Sequence, residues 1–384
     1  MKAYKFRLYP NKEQEEKLDL TLDICRQTYN MMLGELNEQV VIDKSQIQAM
    51  LPDMKICEPK FKEVHSKALQ YECYKLFSNL SALRVLKNNK KKVGRLRFKG
   101  KGWFKTINYN QSGFKLENNK LNLSKIGNIK IKVHREVEGN IKHITIKKSI
   151  DKWFATIITD AEIKTKCGEK VLGIDLGIKN FITDSENNFV EHPHNLNRFS
   201  PMLKNAQRDL SRKKKGSNNR AKSRIRVAKI YEKITNCRDD FLHKTSTKYI
   251  KDCKIIVVED LNIKRMMETS YNAKNIADSS WGRFIQFLSY KAESAGCEIV
   301  KINPRNTTKM CSRCSSIKKM ELWDRTYKCE YCGLEIDRDY NASINILKLG
   351  LGQAYVETRP LLLAEQVLSG KQEAISLNFV EAKC

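Results

Sequence analysis

The sequence is short of acid. Its 44 Asp and Glu residues stand against 72 Lys and Arg, a formal net charge of +28 over 384 residues. An excess of that size argues against a cationic partner and predicts a polyanion, of which nucleic acid is the usual one. Long apolar runs are also missing. Ile255 to Val258 is typical of the longest, far below the roughly 20 residues of a membrane span, so no membrane partner is expected. The N-terminus lacks the pattern of a signal peptide. Eight cysteines (Cys25, Cys57, Cys73, Cys167, Cys237, Cys253, Cys297 and Cys384) are scattered without paired spacing, which excludes a disulfide framework and suits a reducing compartment. His192 and His194 flank a proline with no further ligand spacing, and read as surface residues of a loop. Together these absences predict a cytoplasmic, soluble chain, long enough for about two or three domains.

What is present centres on Lys309 to Leu347. Two Cys-x-x-Cys pairs, Cys311/Cys314 and Cys329/Cys332, are separated by 14 residues. Each pair presents two thiolates about one tetrahedral edge apart, and two such turns close a four-sulfur site that suits one structural zinc ion. Seven residues after Cys332 comes Asp339, within a run that opens as a helix.

Ahead of that stretch the chain changes character several times. Tyr4, Phe6 and Leu8 alternate with Lys5 and Arg7, the period of a half-buried strand, which Pro10 ends. Asn11 with Gln14 three residues on predicts a capped helix start. The stripe Leu18, Leu22, Cys25, Tyr29, Met32 and Leu36 predicts its buried face. A second helical stretch is expected over 59–88, carrying Phe61, Leu69, Tyr74, Leu76, Phe77 and Leu80. Residues 11–89 thus read as a helical lobe. From Lys87 to Lys105 there are nine positive residues and no acid, with Phe98, Trp103 and Phe104 interleaved. Lys90, Lys91, Lys92, Arg95, Arg97, Lys99 and Lys101 can neutralise phosphates while these aromatic faces, that of Trp103 included, stack on exposed bases. Short alternating strands follow to Thr159, so residues 1–10 and 90–165 read as one β-rich module with the helical lobe inserted.

A polar turn near 163–170 opens a different region. Val171 to Ile178 is a buried strand with one acid, Asp175, and two glycines; a hairpin through 181–190 continues it. Ile255 to Val258 is a second apolar strand, ending in Glu259 and Asp260. Period-2 alternation puts those two acids on opposite faces, so one can share a site with Asp175 while the other caps the next turn. Asp339 is the third candidate acid, with Asp337 in reserve. A carboxylate among apolar neighbours is costly unless paired or bound to metal. Three from separate elements are what a pair of Mg²⁺ ions about 4 Å apart needs for phosphodiester hydrolysis. Between the first two acids, Lys204 to Lys233 holds twelve Lys or Arg and two acids. Its expected helices offer Arg208, Arg212, Lys213, Arg220 and Arg224 to a phosphate backbone. Asp278 is expected to cap a helix carrying Trp281, Ile285, Leu288 and Ala292, stopped by Gly296.

Gly173-Ile-Asp-Leu-Gly177, Val257-Val-Glu-Asp-Leu-Asn262, the two Cys-x-x-Cys pairs and Asp337-Arg-Asp-Tyr-Asn-Ala-Ser-Ile-Asn-Ile-Leu347 resemble the TnpB (OrfB) proteins of bacterial insertion sequences, relatives of the type V CRISPR effectors. The opening Lys2 to Leu18 and the Arg95 to Gly102 segment resemble the same family. The resemblance implies an α/β multi-domain protein. Its RNase H-like (RuvC) nuclease domain, 166–308 and 334–351, would hold an inserted zinc ribbon, 309–333. A wedge-like β module and a recognition lobe would precede it, and 352–384 would be a flexible tail. It implies Asp175, Glu259 and Asp339 as the catalytic, magnesium-binding acids, and Cys311, Cys314, Cys329 and Cys332 as the zinc ligands. It also implies a guide RNA transcribed from the element's end, a single protomer on that RNA, and double-stranded target DNA cut beside a short transposon-associated motif. Relatives that have lost acids act as DNA-binding regulators, and a strand transferase could use a similar centre, so both remain alternatives. Ser315 and Ser343 stand where the family usually has glycine and alanine.

Overall fold

A computed structural model describes residues 1–39, 42–110, 112–161, 166–321 and 323–352. The expected tail, apart from Gly352, lies outside the described residues. The chain divides into two compact units, Met1–Ile163 and Lys164–Cys384.

In the first unit, β1 (Lys2–Tyr9) leads into α1 (Lys12–Glu38), α2 (Lys44–Cys57), a short 3-10 turn (Pro59–Glu63) and α3 (Ser66–Asn88). Six strands follow: β2 (Thr106–Asn110), β3 (Phe114–Glu117), β4 (Lys120–Leu123), β5 (Gly127–Lys132), β6 (Ile141–Ser149) and β7 (Lys152–Thr159). They join β1 in one antiparallel sheet, ordered β2-β6-β7-β1-β5-β4-β3. The first strand of the sequence is therefore central in the sheet. Tyr4, Phe6 and Leu8 bury the face that the alternation predicts. The Asn11 side chain accepts from Gln14 N at 2.8 Å and Gln14 Oε1 accepts from Asn11 N at 3.1 Å, so α1 begins with the expected capping box. Its whole predicted stripe is buried.

Three details depart from the sequence reading. Helix α2 was not expected, because Pro52 and a weak apolar face obscure it; only Ile47, Leu51 and Met54 are buried. The stretch 59–88 is a 3-10 turn followed by a helix, and Tyr74 is exposed with Lys44 Nζ 4.4 Å from its ring centroid. Phe104 belongs to the core, not to a stacking surface, and Lys75 Nζ lies 3.9 Å from its ring centroid.

The second unit is a five-stranded sheet ordered β10-β9-β8-β11-β12. Strands β8 (Lys170–Asp175), β9 (Asn180–Asp184) and β10 (Phe189–Glu191) form an antiparallel meander. Helices α4 (Asn195–Arg212) and α5 (Asn218–Asp252) then form a hairpin closed by Phe199, Leu203 and Ala206 against Val227, Ile230 and Ile234. Strand β11 (Cys253–Glu259) returns parallel to β8. After α6 (Ile263–Thr269), α7 (Ala273–Ser279) and α8 (Trp281–Ala295, ended by Gly296 at φ +75), β12 (Glu298–Ile302) adds in parallel to β11. The ribbon follows with β13 (Thr326–Lys328) and β14 (Glu335–Asp337), and α9 (Arg338–Gly350) brings the chain back onto the sheet.

The two faces of this sheet are covered differently, and that positions the site. Leu172, Ile174, Ile256 and Val258 pack with Leu242 and Tyr249 of α5 and Phe284 and Leu288 of α8. The alternate residues Val171, Ile255 and Val257 pack with Ile346 and Leu347 of α9. By the same period of two, Gly173, Asp175 and Glu259 belong to the α9 face. A Cβ at Gly173 would run into Ser343 O and Leu347 N, and one at Gly350 would run into the Val257 side chain. Glycine at both points lets the helix lie directly on the strands. Among the described residues, no helix is long and apolar enough to cross a membrane.

Candidate functional site

Asp175 is the last residue of β8 and Glu259 the last of β11. The two strands are parallel and registered up to Ile174 with Val258, so both carboxylates leave the carboxyl edge of the sheet side by side. Helix α9 crosses this face with Ser343 and Leu347 over Gly173. One helical turn before Ser343, and two residues beyond Gly173 on the strand, stand Asp339 and Asp175. The glycine contact thus brings Asp339 over the edge where the other two acids emerge. Asp337 is the N-cap of α9, accepting from Asp339 N at 2.9 Å and Tyr340 N at 3.0 Å. It has a structural task as a cap, and Asp339 stays the candidate for the third acid. Asp260 lies on the exposed side, and the turn after it is capped by Asn262, which accepts from Arg265 N, so the capping role expected of Asp260 falls to a neighbour.

The electrostatics follow from this crowding. Burial pushes Asp175 well above the usual carboxylate range, and the charges of Glu259 and Asp339 push it further; Arg338 and the Leu176 N–H pull the other way. Glu259 is also raised by burial, against a hydrogen bond from the Thr307 hydroxyl at 2.6 Å. Asp339 is paired with Arg338 at 3.2 Å. Three oxygen donors, two of which raise the proton affinity of the third, form a set that a hard cation relieves, and oxygen ligands are what Mg²⁺ takes. The three carboxylates are spread more widely than the thiols: among the described residues, the four cysteines are the one group of three or more His, Cys, Asp or Glu whose ligand atoms all lie within 4.8 Å of one another.

The thiol centre is compact. Cys311 Sγ and Cys332 Sγ are 3.6 Å apart, and Cys314 Sγ and Cys329 Sγ 3.5 Å. Bonds of about 2.3 Å to a tetrahedral zinc give edges of about 3.8 Å, so the four residues fit that ion. The Ser316 hydroxyl lies 3.2 Å from both Cys314 Sγ and Cys329 Sγ and favours their thiolates, lowering both below the ordinary thiol value. Ser315 has φ +61, a left-handed conformation that glycine adopts freely, which explains why glycine is usual there. Ser343 is fully buried and turns its hydroxyl back to Tyr340 O at 2.7 Å, so its extra oxygen is satisfied within the helix.

The basic candidates divide into exposed and engaged. Lys90, Lys91, Lys92, Arg95, Arg97, Lys101 and Trp103 are exposed, Trp103 at 79%. Lys99 is half-buried, its backbone bound on both sides by Asn30 of α1. Arg208, Arg212, Lys213 and Arg224 are exposed. Arg220 instead donates to Leu210 O at 2.8 Å and Lys213 O at 2.9 Å, closing the carbonyl end of α4. His192 is buried, contrary to the surface reading: its Nδ1 accepts from His194 N, which leaves Nε2 to donate to Ser279 Oγ at 3.0 Å. Asp278 does not cap α8. It accepts from Leu196 N in the first turn of α4 and pairs with Arg238 at 2.9 Å. The sequence reading also passed over Thr307, Asn341 and Asn345, all buried beside the site. Two asparagines one turn apart on an apolar helix face are a signal of hidden polar partners; Thr307 offers none.

Comparison with known proteins agrees with this architecture. A family profile described as "Probable transposase", for OrfB of IS605, matches residues 148–270. A "Cas12f1-like, TNB domain" profile matches 281–346. A "Helix-turn-helix domain" profile of the same OrfB group matches 1–41, where the described residues form one strand and one long helix. A Streptomyces pristinaespiralis protein named "Putative RNA-guided DNA endonuclease" is 32% identical over 367 residues, covering 91% of this chain and 89% of its own. Escherichia coli K12 InsQ, of the same description, is 28% identical over 394 residues, covering 94% and 96%. The fold is similar to Cas12f1 in a Cas12f1–sgRNA–target DNA complex, with a TM-score of 0.55 at 18% identity over 88% of this chain and 83% of that one. By sequence relationship across nearly its whole length, the chain belongs to the TnpB (OrfB, IS605) family, which is related to Cas12f.

Proposed function

We propose that this protein is an RNA-guided DNA endonuclease encoded by an insertion sequence, cutting target DNA beside a short transposon-associated motif through a RuvC-type two-metal centre. The observation that carries the reading is the convergence of Asp175, Glu259 and Asp339 at the carboxyl edge of one sheet, close enough that two of them raise the third. Mg²⁺ held there would polarise the scissile phosphate, ease deprotonation of the attacking water and neutralise the departing 3′ oxygen. Asp175 would be the ligand shared by the ions, with Glu259 and Asp339 completing the site. The four cysteines would bind a structural zinc. The names of the relatives support the guide RNA and the DNA substrate.

The +28 charge supplies the phosphate contacts such a complex needs. In this reading residues 1–10 and 90–165 act as a wedge, 11–89 as the recognition lobe, 166–308 and 334–351 as the nuclease and 309–333 as its ribbon. Exposed basic side chains of 90–101 and of the α4–α5 hairpin hold backbones, base pairing reads sequence, and the protein reads the short motif and heteroduplex shape. One protomer acts on one RNA in a bacterial cytoplasm.

The test is cleavage of a plasmid library carrying a randomised motif beside a guide match. The protein is co-expressed with RNA from its flanking element and supplied with Mg²⁺. Double-strand cuts that require the matching guide and one motif are expected. Tight RNA-dependent binding without cuts would replace this reading with a guide-directed regulator, and joined DNA products with a strand transferase. Cutting that ignores the RNA would remove the guide.

A further inference from the structure

We propose that Thr307 is a positioning residue for the carboxylate centre, holding Glu259 in its working orientation and tying it to the first cysteine knuckle. The inference rests on the nuclease reading for its consequence but not for its geometry. The terminal torsion of a glutamate is broad and does not by itself fix the carboxylate plane. Here the Thr307 hydroxyl donates to Glu259 Oε1 at 2.6 Å, the length of a charge-assisted O–H···O⁻ bond. Its other acceptor, Pro304 O, is 3.4 Å away, so the single hydroxyl proton belongs to the carboxylate. Thr307 is 2% exposed and β-branched, so the hydroxyl has neither water nor a free rotamer to turn to. With Oε1 engaged by Thr307, Oε2 is the carboxylate oxygen left for a cation.

Thr307 is itself held from α9. Asn345 Nδ2 donates to Thr307 O at 2.8 Å and to Met310 O at 2.6 Å. Asn341 Nδ2 donates to Met310 O at 2.8 Å while its Oδ1 accepts from Ser312 N at 2.9 Å. Lys348 Nζ reaches Ser312 O at 2.7 Å. The knuckle around Cys311 is therefore fastened to the helix that carries Asp339, and the same loop fastens Glu259. Two of the three acids take their positions from one short segment, 307–312. Partners of metal ligands in other proteins cost about 10- to 100-fold in metal affinity or activity when removed.

The experiment compares wild type, Thr307→Val and Thr307→Ser as full-length proteins. Val keeps shape and backbone carbonyl but loses the hydroxyl; Ser keeps the hydroxyl. Mn²⁺ is the probe, titrated into each protein and read from the free-ion EPR signal, with zinc content checked by elemental analysis. Thr307→Val should bind Mn²⁺ about tenfold more weakly or worse with its zinc retained, and Thr307→Ser should stay near wild type. In guide-directed cleavage the Val variant should need correspondingly more Mg²⁺ for half-maximal rate. Wild-type Mn²⁺ affinity in the Val variant would overturn the proposal. So would a Ser variant as weak as Val, or a wild type that binds no Mn²⁺. If wild type binds Mn²⁺ but never cuts guide-matched DNA, the nuclease reading fails and the Mn²⁺ comparison still decides the role of Thr307.

Discussion

The two clusters of candidate ligands in the second unit are built in opposite ways. The thiol centre is local: four cysteines within 22 residues, sulfurs already at near-zinc spacing, and Ser316 favouring the thiolates. The carboxylate centre is assembled from the ends of two strands and the start of a helix separated by 84 and 80 residues (259 − 175 and 339 − 259). Burial of Asp175 and Glu259, and the charges of Glu259 and Asp339 beside Asp175, work against its charged state. A structural ion site stabilises the fold around it, whereas a functional one is held together by the rest of the fold. The link between them is the 307–312 segment.

If that contrast is right, damage to the thiol centre has the largest structural effect. Cys311→Ser should abolish zinc binding and lose most of the folding free energy of the ribbon, on the order of 10 kcal/mol of metal affinity. Hydrogen exchange should show protection lost over 309–337 and weakened in α9, because Asn341 and Asn345 lose their knuckle carbonyls. Next comes the strand-helix contact that assembles the acids. Gly173→Ala places a methyl group against backbone atoms of α9 and should cost about 3 kcal/mol in urea melts. The displaced Asp339 should also slow cleavage.

Glu72 on α3 tests whether clustering, and not burial alone, marks a site. It is fully buried, Lys75 Nζ is 3.4 Å away, and neither carboxylate oxygen receives a hydrogen bond. Burial pushes it up to about 7 from 4.5. A raised carboxyl favours the fold when protonated. The stability it confers is therefore complete below pH 4.5 and is lost as pH rises to about 7. The wild type should lose on the order of 3 kcal/mol across that window, and Glu72→Gln should flatten the profile, as urea melts at several pH values would show. The variant should cleave normally at pH 7.5. The smallest effect concerns the basic residues. Arg220→Ala should destabilise α4 by about 1 kcal/mol with little change in the salt dependence of nucleic-acid binding. Arg212→Ala should leave stability alone and lower that salt slope by about one.

The same contrast decides what the sequence could reveal. The cysteine pairs, the Asn11 cap, the Leu18 to Leu36 stripe and the Gly296 stop are local patterns with one physical meaning each, and the structure repeats them. Asp175, Glu259 and Asp339 were legible as candidates because acids at apolar strand ends and a helix start are conspicuous. Choosing Glu259 over Asp260 and Asp339 over Asp337 took more than spacing. It took the family resemblance, and then the face of β11 that meets α9 and the cap at Asp337. Thr307, the buried His192 and the cap made by Arg220 were hidden, because they depend on partners 48, 87 and 10 residues away (Glu259, Ser279 and Leu210). Phe104 was misread because aromatic residues among lysines look alike whether they stack on a base or on their own core.

The central claim is that three acids make one metal-dependent cutting centre on an RNA-guided protein. The most direct measurement is single-turnover cleavage of pre-bound, guide-matched DNA by wild type, Asp175→Ala, Glu259→Gln and Asp339→Asn at saturating Mg²⁺. Target affinity is measured on the same samples. The account predicts that each variant cuts at least about a hundredfold more slowly while binding the target as tightly as wild type. A variant that keeps the wild-type rate would contradict it.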